Sequence, residues 1–70
     1  MTEYLVIYET AEDGCWGAYS PDLPGCVATG QSQMEVEQLM REAIPMHLEL
    51  MRETGEPVPE PHAVAGSIAA

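Results

Sequence analysis

The side chains best suited to acid–base, thiol or metal chemistry in this 70-residue sequence are twelve Asp and Glu, two His and two Cys. His47 could titrate near neutral pH. No Ser, Cys or carboxylate stands near it in a recognisable nucleophile–base motif, so it reads as a half-buried packing or interface histidine. His62 follows a proline run, and two isolated histidines do not make a metal site. Glu9, Asp13, Asp22 and the glutamates of residues 35–53 could gather a divalent ion, as metal-dependent nucleases do from strand ends and a helix. Their spacing does not specify that gathering, and a solvated acidic face is the favoured reading. Cys15 and Cys26 lack C-x-x-C spacing and a second His/Cys cluster, so neither zinc nor a disulfide framework is supported. They read as reduced, half-buried fillers. No catalytic residue, metal ligand or cofactor is assigned: the chain reads as a binding module, not an enzyme.

Seventy residues make one domain, 1–70, with a core that is thin for the surface left wet. A metal, disulfides or self-association would normally offset this. With the first two unsupported, a homodimer or higher homo-oligomer is expected. The start, Met1-Thr2-Glu3, opens no secretory leader, and no stretch nears the roughly 20 apolar residues of a membrane span. A cytoplasmic protein without membrane contact is therefore expected. The formal charge is −10, spread from Glu3 to Glu60. Such a field repels phosphate backbones, and only Arg41 and Arg52 could hold them, so direct nucleic-acid binding is not expected. A basic protein partner suits the charge; the plainer role of acidity is to keep a small domain in solution.

The pattern of elements predicts an α+β fold. Glu3 to Glu9, β-branched and aromatic, reads as a strand buried on both faces, central or well covered. Thr10 to Gly14 supplies hairpin turn chemistry, a second strand follows at Cys15 to Ser20, and Pro21-Asp22-Leu23-Pro24-Gly25 forms a rigid corner. Cys26 to Gly30 returns as a third strand, completing an antiparallel meander. Ser32-Gln33-Met34-Glu35 has the form of a capping box. From Val36, a broad apolar stripe of Leu39, Met40, Ala43, Ile44, His47, Leu48, Leu50 and Met51 predicts one long amphipathic helix packed on the sheet. Pro45 falls opposite the stripe and predicts a kink near residues 41–45, not two helices. Gly55 ends the helix, residues 57–61 run extended, and residues 62–69 either add a short fourth edge strand or stay irregular.

The runs Tyr4-Leu5-Val6-Ile7-Tyr8-Glu9, Asp13-Gly14-Cys15-Trp16 and Ser20-Pro21-Asp22-Leu23-Pro24-Gly25-Cys26-Val27-Ala28-Thr29-Gly30 closely resemble the HicB-type antitoxin family. So do Glu42-Ala43-Ile44, His47-Leu48-Glu49 and Gly55-Glu56-Pro57-Val58-Pro59-Glu60-Pro61, which extends the resemblance over almost the whole chain. It implies a degenerate ribonuclease-H-like fold and an antitoxin that covers the active-site surface of a small basic HicA-type mRNA interferase. Members resemble the nuclease fold without its metal-binding carboxylates, and Leu5-Val6-Ile7 is likewise free of Asp and Glu. Many members carry a further C-terminal DNA-binding segment. The sequence ends at Ala70, so a minimal version without operator binding is expected.

Trp16, Asp22, Glu42 and Glu49 are the candidate partner-binding residues. Tyr4, Val6 and Tyr8 are the candidate oligomer interface, because one helix covers one face of a sheet whose strands are apolar on both. The competing readings are an orphan homo-oligomeric regulator of the same family without a toxin, and a carboxylate- and metal-dependent nuclease.

Overall fold

The computed structural model describes residues 2–70. Three short strands, β1 (Ile7–Thr10), β2 (Trp16–Tyr19) and β3 (Val27–Gly30), form an antiparallel sheet in the order β1-β2-β3, followed by one helix, α1 (Gln33–Thr54). The predicted meander and single long helix are present.

The β1–β2 connection closes where the turn residues stand. Ala11 N–H donates to the Cys15 carbonyl at 2.9 Å, and Gly14 N–H to the Ala11 carbonyl at 3.0 Å. Gly14 takes φ 88°, which an L side chain resists. The Pro21–Gly25 corner is two linked turns: Leu23 N–H donates to Ser20 and Cys26 N–H to Leu23, both at 3.1 Å. The corner pushes Leu23 inward, where it is 1% exposed.

The first strand departs from the sequence reading. It spans Ile7–Thr10, not Glu3 to Glu9, because its partner β2 ends at Tyr19, opposite Ile7. Beyond Tyr19 the chain turns into the corner, so residues 3–6 have no strand to pair with. β1 is also an edge strand, half-buried where buried at all; β2 is central. β2 and β3 are likewise trimmed to Trp16–Tyr19 and Val27–Gly30.

The helix begins and ends on its caps. Ser32 Oγ accepts the Glu35 N–H at 3.1 Å, while the Glu35 carboxylate folds over Gly30, 2.7 Å from where a Cβ would stand. Gly55, at φ 77°, donates to Arg52, and Glu56 donates to Met51, closing the last carbonyls. Pro45 lies exposed inside a helix that runs unbroken past it. Its ring faces water, where the freed Arg41 carbonyl finds solvent.

α1 packs over β2 and β3. The core is Ala18, Leu23, Cys26, Val36 and Met40, with Tyr4, Val6, Tyr8, Trp16, Ala28, Ala43, Ile44 and Leu48 packed around it. The inward stripe is narrower than the sequence pattern: Leu39 and Leu50 are exposed at 37% and 57%, since the helix meets a three-stranded sheet too small to cover so wide a face. Residues 56–70 leave the helix extended and carry no strand.

Candidate protein-binding surfaces

Asp22 is buried at the corner, 4% exposed. Its Oδ2 accepts the backbone N–H groups of His62 and Ala63, each at 3.2 Å. Its Oδ1 stands 2.9 Å from Nδ1 of His62, a contact that becomes a hydrogen bond when that nitrogen carries a proton; the Glu60 carbonyl, 3.2 Å away, competes for it. A buried carboxylate needs such donors to offset lost hydration. Asp22 therefore ties the C-terminal segment to the sheet, and its carboxylate is not presented at the surface. Tyr4 supports the same strap by donating its hydroxyl to the Pro59 carbonyl at 2.7 Å.

Trp16 is half-buried on β2, on the helix side of the sheet among the groups packed against the core. Glu42 and Glu49 are exposed on α1, one heptad apart on one flank; Glu49 pairs loosely with Arg52 at 3.5 Å. Of the four candidate partner contacts, the structure brings together these two and separates Trp16 and Asp22 from them.

Tyr4, Val6 and Tyr8 share the helix side of the sheet, since Tyr8 stands opposite Ala18, which is opposite Ala28. Because α1 lies over β2 and β3, these three border an open groove of about 510 Å³ whose other wall is Met40, Ile44 and Pro45. Its rim carries Glu3, Glu37 and Arg41, the last two paired at 2.8 Å. The opposite face of the sheet carries Ile7, Tyr19 and Val27 side by side.

The carboxylates singled out for metal chemistry do not converge. Asp13 accepts the Cys15 N–H at 3.0 Å, a turn contact, and Asp22 is taken by the tail. Among the described residues no three His, Cys, Asp or Glu side chains are placed to hold a metal ion. His47 is half-buried on the helix. Cys15 and Cys26 are free thiols; burial pushes the Cys26 thiol above its ordinary pKa. No helix among the described residues is long and apolar enough to cross a membrane.

Sequence reasoning missed the outward side of α1. Leu39, Met46 and Leu50 are exposed at 37%, 71% and 57%, beside Ala43, which packs inward against the core. The signal was available in the spacing: positions 39, 46 and 50 advance by seven and four residues, the step of a helix-packing seam.

Two comparisons place the chain among known proteins. A family model described as "HicB_like antitoxin of bacterial toxin-antitoxin system" matches residues 4–70. The UPF0150 protein Ta0767 of Thermoplasma acidophilum is 33% identical over 61 residues, which cover 87% of this chain and 88% of that protein.

Proposed function

The chain belongs to the HicB-like antitoxin family of bacterial toxin–antitoxin systems, and from that premise we propose that it neutralises a small basic HicA-type mRNA interferase by covering its active surface. The observation that carries this beyond the family is charge. Twelve acids against two bases give −10 on 70 residues, and both arginines are engaged with glutamates. Such a surface attracts a protein evolved to hold RNA and repels RNA itself. The role is occlusion in the cytoplasm, with no chemistry of its own.

The protein acts as a homo-oligomer in this proposal. Tyr4, Val6 and Tyr8 line a groove whose rim carries Glu3 and the paired Glu37 and Arg41, and whose apolar floor a second copy would cover. Co-expression with any small basic protein encoded in a neighbouring reading frame should restore growth that the basic protein alone arrests, and the two should co-purify. Stable self-assembly with neither rescue nor complex would favour a regulator without a toxin. RNA cleavage dependent on added Mg²⁺ would favour the nuclease.

A further inference from the structure

We infer that an exposed flank of α1 is the surface that receives the basic partner, along an apolar seam of Leu39, Met46 and Leu50 flanked by Glu42 and Glu49. This rests on the antitoxin reading and deepens it by naming the face and the chemistry of its occupant.

The helix carries two apolar tracks. One, through Val36 and Met40, is consumed by the sheet. The other advances by seven and four residues through Leu39, Met46 and Leu50, so it runs nearly parallel to the helix axis for about 16 Å at 1.5 Å per residue. Leu39, Met46 and Leu50 stay exposed along it. Isolated exposed apolar residues are ordinary; three in register on one helix face make a docking stripe.

Charge identifies the occupant. Positions 42 and 49 border the stripe one heptad apart, and both are glutamate. Glu35, one heptad earlier, heads the same flank and lies against Gly30, which puts this flank on the β3 side. The groove of Tyr4, Val6 and Tyr8 opens on the β1 side. The two surfaces can thus be filled at once. A second copy has little to answer the glutamates with, because its only two Lys or Arg, Arg41 and Arg52, already pair with Glu37 and Glu49 on their own helix. The fitting partner presents apolar side chains between Lys or Arg, as flanking charges select partners in helix pairs.

The test uses the whole chain and two probes: an inactive form of a small basic HicA-type protein encoded in a neighbouring reading frame, and a peptide of about three heptads with a leucine seam flanked by lysines. Leu39→Ser/Leu50→Ser and Glu42→Lys/Glu49→Lys should each weaken both probes by roughly tenfold or more, with far-UV circular dichroism and melting unchanged. Raised salt should weaken the wild-type complexes. Exchanging the peptide's lysines for glutamates should restore binding to the charge-reversed variant. If the encoded protein binds wild type and both variants equally, the seam is wrong and the antitoxin reading survives. If the peptide binds through the seam and the encoded protein does not bind, the seam stands and the antitoxin reading falls. Failure of the wild type to bind either probe overturns both. A smaller sedimentation coefficient in the serine variant would assign the face to a second copy and overturn the inference.

Discussion

The Asp22 carboxylate accepts the backbone N–H of Ala63 at 3.2 Å across 41 residues of sequence. That bond, its neighbour to His62 and the Tyr4–Pro59 contact hold the extended segment after α1 against the sheet. Asp22→Ala should therefore destabilise the fold by about 3 kcal/mol, roughly the scale of bonds to a buried charged acceptor. Tyr4→Phe should cost about 1 kcal/mol, the scale of a neutral bond. Urea denaturation measures both, and amide exchange at His62 and Ala63 should accelerate in Asp22→Ala. Unchanged exchange there would mean the segment is held by something else.

Leu23 is the most consequential apolar residue of the corner, at 1% exposure between Pro21 and Pro24 in sequence. Leu23→Ala should cost about 2–5 kcal/mol. A chain of this length has only about 4–10 kcal/mol in all, so the variant should be partly unfolded at room temperature, seen as lost chemical-shift dispersion. Val27→Ala, at an exposed position on the adjoining strand, should change stability by less than about 0.5 kcal/mol.

Pro45 sits in an unbroken helix with its ring in solvent. Pro45→Ala restores a backbone donor and removes the ring's crowding of the preceding turn, so stability should rise by up to about 3 kcal/mol. The urea midpoint should move up with an unchanged slope. A fall would show that Pro45 is needed for α1 to follow the sheet.

Cys26 is buried with its thiol pKa raised above the ordinary 9.0, the result of desolvation. The fold favours the neutral thiol, so the unfolded chain ionises first as pH rises. The contribution to stability is intact below about pH 9 and declines above it. Cys26→Ala should flatten that part of the stability profile. At neutral pH, iodoacetamide should modify half-buried Cys15 before Cys26, as mass spectrometry of the cleaved chain would show.

Which elements form was written in local residues. Ser32 and Gly55 bound the helix because a side-chain oxygen and a positive φ act within a few residues. Gly14 and the Pro21–Gly25 corner set the reversals on the same scale. The spacing of Leu39, Met46 and Leu50 on α1 was equally present, but it borders the inward stripe, and periodicity alone assigns Leu39 and Leu50 to either side.

What the tertiary structure alone decided was which groups meet water. β1 stops at Ile7 because β2 has no residue left to pair with, and α1 lies over β2 and β3, leaving Tyr4, Val6 and Tyr8 along a groove. Asp22 became an internal anchor because a segment 40 residues away came to rest on it. Turns and caps answer to their neighbours in sequence; burial answers to whatever the rest of the chain places opposite.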